Sequence, residues 1–234
     1  MDKRTFHLIL TGLFAVLMQF AIVWALQVAP PDRLQGDVQR IFYFHLGSIW
    51  PGFMAFFYVL YASTRYLLSR DLKWDQRSLI SGEVGFIFST IVLITGPIWA
   101  KPTWGVWWSW DARLTSMLVL WMVFFVFVNL RSYIDDPSVR PRVSAVLGIV
   151  GACMVPFVYM STRIFETQHP KPVIMGDEDS GIKDPNMTIA LLLAFAAFVL
   201  LYVVLFQRGV EQRQLEDRLD DMQGRIRDLE DEIV

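Results

Sequence analysis

Five of the nine tryptophans fall within twelve residues, at Trp99, Trp104, Trp107, Trp108 and Trp110. Indole faces at this density have two readings. One is a belt at the level of the lipid headgroups, where amphipathic rings settle. A belt accounts for one or two tryptophans per helix end and suits Trp24, Trp50, Trp74 and Trp121. The other is a platform for a planar aromatic ligand, with burial and stacking worth roughly 1 kcal/mol or more per ring. The density, together with Gly105 and the Asp111/Arg113 pair inside the segment, favours the platform.

The chain has three histidines. His45 closes the run Arg40-Ile41-Phe42-Tyr43-Phe44-His45, and His169 lies in Gln168-His169-Pro170. A lone histidine near a helix end is ordinarily structural. Two on the same side as an aromatic platform could instead bracket an iron porphyrin, since paired imidazoles are a standard haem ligation tuned by their neighbours. Zinc suits them less, because a structural zinc site needs about four ligands. His7 reads as an interface residue at the other side. Arg40 and Arg113 fit the carboxylates of haem propionates, for which a guanidinium is well shaped. Each fits equally well as a headgroup-level charge, or, for Arg113, as a partner of Asp111 that holds the loop's shape. Arg163 and Lys171 flank His169 as weaker candidates.

Other motifs exclude function classes. No Cys-x-x-Cys-His motif is present, so the chain is not itself a c-type cytochrome. Cys153, the only cysteine, falls inside an apolar stretch and reads as a small packing residue. No Walker motif, nucleophile elbow or zinc-protease motif occurs. Glu83 reads as the one acid within a span, one turn from its edge, and Asp177-Glu178-Asp179 as a solvated loop tip. A net charge of −2 without a basic stripe argues against nucleic acid as a partner.

The elements that must position these groups are membrane helices. Of 234 residues, 54% are hydrophobic and 19% charged, against about 25% charged in soluble domains. Charges are absent from 5–31, 41–64, 84–100, 114–130, 143–162 and 185–207. Each gap is near or above the ~20 residues that cross a bilayer. The pattern predicts an all-α polytopic protein with six transmembrane helices, near Phe6–Val28, Ile41–Leu68, Leu79–Ile98, Leu114–Leu130, Val143–Met160 and Met187–Phe206. The first is expected to be permanent rather than a cleaved signal, since no small-residue cleavage site follows it. Pro51 and Pro156 fall inside spans and should bend them.

Of the 21 lysines and arginines, 14 fall in the segments that share a side with the termini and 7 in the other three loops. The positive-inside rule then places both termini in the cytoplasm and the loops at 29–40, 99–113 and 161–186 outside. That puts the tryptophan segment, His45 and His169 on one face. Residues 1–207 form the transmembrane unit. The remainder, 208–234, is a charged cytoplasmic tail in which Leu215, Leu219, Met222, Ile226, Leu229 and Ile233 follow a heptad spacing. Such a coiled-coil-like tail either lies on the protein's own loops or pairs with a partner or a second copy. Gly224 weakens it by about 1 kcal/mol relative to Ala.

The stretch Trp104-Gly105-Val106-Trp107-Trp108-Ser109-Trp110-Asp111-Ala112-Arg113-Leu114-Thr115-Ser116, with Thr95-Gly96 and Lys101-Pro102 before it, resembles the signature of the WWD family of haem-handling proteins. The resemblance covers roughly 5–207, and Arg40 to His45 followed by Trp50 is similar to the family's first histidine region. It implies a protein of the bacterial cytoplasmic (inner) membrane that binds haem b, non-covalently held iron protoporphyrin IX, at the outer face. His45 and His169 would be the axial ligands, and Trp104, Trp107, Trp108, Trp110 and Asp111 would shape the site. It further implies delivery of that haem to the chaperone CcmE for cytochrome c biogenesis, beside the ABC-type subunits CcmA and CcmB and the small protein CcmD. The heptad tail departs from the short basic tail of the family.

Haem binding and transfer by ligand exchange, rather than bond-making, is the leading reading. An enzyme reading is a haem–apocytochrome c synthase similar to CcsA or CcmF, which are larger and carry further histidines within the membrane. No span interior here holds a histidine. Electron carriers also place haem ligands deep inside spans, and a plain haem transporter is the remaining alternative.

Overall fold

The computed structural model describes residues 2–165, 167–169 and 184–233. Lys171, Lys183 and the Asp177-Glu178-Asp179 run therefore lie outside the described residues. Six helices follow in order: α1 (Lys3–Val23), α2 (Ile41–Ser69), α3 (Leu72–Trp104), α4 (Ala112–Asn129), α5 (Arg140–Ile164) and α6 (Pro185–Ile233). All six elements are long and apolar enough to cross a membrane, as the charge gaps predict. A chain that must satisfy its own backbone hydrogen bonds in hydrocarbon forms helices, and six crossings leave both termini on one side.

Helix ends differ from the charge gaps, because a gap marks the hydrocarbon-facing part of a helix and not its caps. α3 begins at Leu72, seven residues before the predicted start, because Asp71 caps it by accepting from the Lys73 N–H at 3.0 Å. Its first turns carry Lys73, Asp75 and Arg77. Two acids, not one, therefore lie within this helix. Asp75 is buried and paired with Arg131 of the short turn after α4, and Glu83 faces Arg213 of α6 at 3.6 Å. At its other end α3 runs through Pro97 and Pro102 to Trp104 and stops at Gly105, whose φ of +79° suits glycine. Trp99 and Trp104 are thus on a helix, and the irregular loop is only residues 105–111. α1 ends in a π-helical turn, Trp24–Val28.

α2 lies at the centre, against α3, α5 and α6, while α1 packs mainly on α6. One core cluster joins Phe53, Phe56 and Val59 of α2 to Leu120, Phe124 and Phe127 of α4 and Val155 and Val158 of α5. The Phe56 and Phe124 rings stack at 3.7 Å. A second cluster is built from small residues, with Ala21 and Ala25 against Ala190, Ala194 and Ala197 of α6. Small side chains let membrane helices approach closely. Ser81 of α3 donates to the Ala55 carbonyl at 2.8 Å and lies 3.0 Å from the Tyr202 hydroxyl of α6. Since its one proton goes to Ala55, Tyr202 donates to Ser81. Leu8, Ile9, Leu13, Val16 and Phe20 of α1 are exposed on the lipid side. Cys153 is exposed too, so it is not the packing residue its position in the sequence predicts.

α6 continues unbroken from its span into the tail. Gln76 donates to Asp217 at 3.0 Å, but beyond that pair Leu219, Met222, Ile226 and Leu229 are each more than half exposed.

The Asp75–Arg131 pair, in which Asp75 is buried and the Arg131 side chain is 21% exposed, holds α3 to the end of α4. Removing one member of a buried pair strands the other charge, at a cost of about 3 kcal/mol. Asp75→Ala is expected to lower the thermal midpoint in detergent, and Asp75→Leu combined with Arg131→Met to recover most of the loss.

Candidate functional site

His45 is the fifth residue of α2 and is 7% exposed. Its Nδ1 lies 2.8 Å from Oγ1 of Thr95 on α3. One turn further along α3, Trp99 meets the imidazole edge-on, with ring centroids 5.7 Å apart. Gly96 lies beside the Cε1 side of the ring, where an added Cβ would make an ordinary van der Waals contact at 3.5 Å. Trp99 is itself fixed, because its indole N–H donates to Gln35 Oε1 at 2.8 Å. Gln35 is held in an Asx turn around Asp32, whose Oδ1 accepts from the N–H groups of Leu34 and Gln35.

His169 follows α5 in the chain. Its ring meets Trp104 edge-on at 5.0 Å, so the last two turns of α3 contact both histidines, through Trp99 and Trp104. His169 Nδ1 faces Asp111 Oδ2 at 3.5 Å, an electrostatic contact longer than a good hydrogen bond. Asp111 also caps α4: its Oδ1 accepts from the Leu114 N–H at 2.9 Å, and its Oδ2 accepts from Ser109 at 3.1 Å. One carboxylate therefore starts a helix, closes the 105–111 loop and orients an imidazole.

Burial alone would push the Asp111 carboxyl up, but the Leu114 N–H, the neighbouring His169 and the Ser109 hydroxyl together hold it below the ordinary range. Burial pushes His169 below the ordinary histidine value, against the pull of Asp111 in the other direction. His169 is then neutral at pH 7, the state in which an imidazole nitrogen can bind a metal.

The remaining sequence-predicted residues divide. His45 lies within electrostatic range of both His169 and Arg113. Among the described residues the Arg113 guanidinium makes one long bond, 3.4 Å to the Tyr159 carbonyl. Trp108 and Trp110 meet edge-on at 5.7 Å, and the buried Trp108 indole N–H has no partner among the described residues. Trp107 and Trp110 are 58% and 77% exposed. Arg40 is engaged elsewhere: its guanidinium donates to the carbonyls of Ala25 at 2.7 Å and Ala29 at 3.0 Å and pairs with Asp37 at 2.9 Å. It ties the end of α1 to the start of α2. Arg163 lies over the Tyr159 ring. On the terminal side His7 lies 3.5 Å from Glu211 of α6. Sequence reasoning passes over Gln35, which carries no motif, and takes Ser109 only as a member of the tryptophan segment and Thr95 only as its flank.

Two imidazoles, a helix end carrying two indoles, and a short loop carrying three more make up a candidate site at the membrane edge of a six-span protein. This is the architecture of a multi-pass membrane protein with a WWD segment. The sequence model of the CcmC family, heme exporter protein C, matches residues 3–224, and the chain belongs to that family. Heme exporter protein C of Bradyrhizobium diazoefficiens is 32% identical over 196 residues, 84% of this chain and 74% of that protein. The protein of the same name from Haemophilus influenzae is 33% identical over 200 residues, 83% of this chain and 80% of its own length. A putative cytochrome c biosynthesis ccmC-like mitochondrial protein of Marchantia polymorpha is 30% identical over 207 residues, covering 88% of this chain and 86% of itself.

The sign of the His169 shift fixes a pH dependence. A folded value below the unfolded one means that the unfolded chain binds the extra proton first. The native loop therefore loses stability as pH falls through about 6.5 toward the lower folded value. An NMR titration of histidine-labelled protein should find the His169 midpoint below that of free histidine, and Asp111→Asn should lower it further.

Proposed function

We propose that this protein binds haem at the outer face of the bacterial cytoplasmic membrane and hands it to the chaperone CcmE for cytochrome c biogenesis. The observation that carries this reading is the pair of imidazoles held at one end of α3. Each turns Nδ1 toward an oxygen, of Thr95 or Asp111, and each rests against a tryptophan of α3. That pattern leaves Nε2 of both rings for an iron centre, as oriented histidine ligands are ordinarily arranged. The residues present also fit the rest of a porphyrin. Trp104, Trp107, Trp108 and Trp110 supply flat apolar surface. Arg113, with one long bond among the described residues, and the Trp108 N–H, which has no partner among them, supply donors for propionate oxygens. Arg40 acts beside them by fixing the α1–α2 junction.

The haem is cargo, held as non-covalent haem b by His45 and His169. Transfer is ligand exchange, in which the receiving chaperone replaces these histidines, and the exposed Trp107 and Trp110 mark the edge it approaches. CcmA, CcmB and CcmD are the proposed companions in the membrane. The absorption spectrum of haem-loaded protein tests this. Wild type is expected to give the low-spin spectrum of paired imidazoles, and His45→Ala or His169→Ala to lose it. An unchanged spectrum in both variants would overturn the assignment. Trp107→Ala should weaken haem retention by about fivefold, the equivalent of roughly 1 kcal/mol for one ring.

The 14-to-7 distribution of basic residues supports termini in the cytoplasm. A reporter fused to the C-terminus should read as cytoplasmic; export would reverse the orientation. The exposed tail seam supports pairing with a second copy. Two copies in one membrane emerge parallel, and Ile226 at an a position with Leu215 and Leu229 at d favours parallel dimers. Truncation before Leu215 should then reduce the size of the purified assembly, and an unchanged size would remove this role for the tail.

A further inference from the structure

Thr95 Oγ1 has two close polar neighbours, with the Val92 carbonyl oxygen more distant at 3.4 Å. The Ile91 carbonyl oxygen lies 2.7 Å away and His45 Nδ1 lies 2.8 Å away. Two oxygens at hydrogen-bond distance need a proton between them, and a carbonyl brings none. The hydroxyl's only proton is therefore committed to Ile91, and the oxygen faces His45 as an acceptor. Nδ1 must then carry the imidazole's proton. In the neutral ring this leaves the lone pair on Nε2, and no hydrogen bond to another described residue engages that nitrogen.

From this geometry we infer that Thr95 is a positioning residue that fixes His45 in the Nδ1–H tautomer and so presents Nε2 to the haem iron. The assignment of Nε2 to iron rests on the haem reading above; the tautomer does not. The ring has two further constraints, since Trp99 meets its edge and the α2 backbone sets where it starts. Neither makes a hydrogen bond to a ring nitrogen. Among the described residues, Thr95 is the one that hydrogen-bonds a ring nitrogen of His45. The hydroxyl is in turn specified by the i−4 carbonyl of its own helix, a backbonding habit of threonine in membrane helices. A serine at this position would preserve the device, and a valine would keep its shape while removing the acceptor.

With three histidines in the chain, uniform histidine-¹⁵N labelling in lipid nanodiscs gives a readable spectrum, and His45→Gln identifies the His45 signals. In haem-free protein, wild type and Thr95→Ser should show a protonated Nδ1 and an unprotonated Nε2 at His45. Thr95→Val should shift the proton wholly or partly to Nε2. Haem-loaded Thr95→Val should lose haem to an apoglobin acceptor at least about tenfold faster than wild type, the usual effect of removing a ligand's supporting hydrogen bond. Thr95→Ser should stay close to wild type. The same tautomer in wild type and Thr95→Val would overturn the role of Thr95, whatever the haem data show. A wild type with the Nδ1–H tautomer that binds no haem would overturn the haem reading and uphold the role of Thr95 in setting the tautomer.

Discussion

At Gly85, α3 comes so close to α2 that an added Cβ would lie 2.5 Å from the Phe56 ring and 3.1 Å from Ala55 Cβ. Four residues earlier, Ser81 binds the Ala55 carbonyl. These contacts lock the antiparallel register of the two helices near the middle of the bundle. Ten residues further along α3 is Thr95, and ten residues back along α2 from Ala55 is His45. On both helices that step is about 15 Å, so a register fixed at Ala55 and Gly85 delivers the hydroxyl to the imidazole. A slip of one residue on either helix would rotate one partner by about 100° and separate them. The site's geometry is therefore inherited from packing well inside the membrane.

The second half of the site depends on a different device. Asp111 spends one carboxylate oxygen on the first turn of α4 and offers the other to Ser109 and His169. An aspartate is suited to this because a helix N-terminus favours negative charge, and the same charge steadies an imidazole. The 105–111 loop is pinned at its start by Gly105 and at its end by Asp111, so its tryptophans sit on a short, closed span of chain. Trp99 and Trp104 are held by the helix, Trp107 and Trp110 by the loop, and the two pairs differ accordingly in exposure. Rigid indoles contact the histidines, and exposed ones face the surroundings.

Several polar groups in the rest of the bundle are partnered across helices. Ser63 with Ser78, Ser81 with Tyr202, and Trp121 with Thr90 each join two helices. In a bundle where lipid tails compete with apolar side chains on equal terms, such bonds and the small-residue contacts of α1 with α6 supply specificity. The pair of buried Asp75 with Arg131 does the same at the terminal side. The tail lies outside this economy. Its charged faces suit water, and its seam of leucine, methionine and isoleucine remains exposed once α6 leaves the membrane.

Much of this molecule is written locally. Gaps in charge determine six spans because hydrocarbon excludes unpaired charge, and Gly105 and Asp111 are stop and start signals that work on their own helices. The clustering of tryptophans and the presence of His45 and His169 are likewise visible in the residues. What local signals leave open is where helices end beyond the hydrocarbon and which groups face each other. Charged turns extended α3 back to Leu72, and two prolines did not break it before Trp104, because caps and neighbouring helices rather than hydropathy decide helix ends. Asp75 reads as loop charge until Arg131 is found beside it, and Arg40 reads as a free cation until the carbonyls of Ala25 and Ala29 surround it. Only packing brings Thr95 to His45, fifty residues apart in sequence, since that contact depends on the register of two helices and no residue on either one encodes it alone.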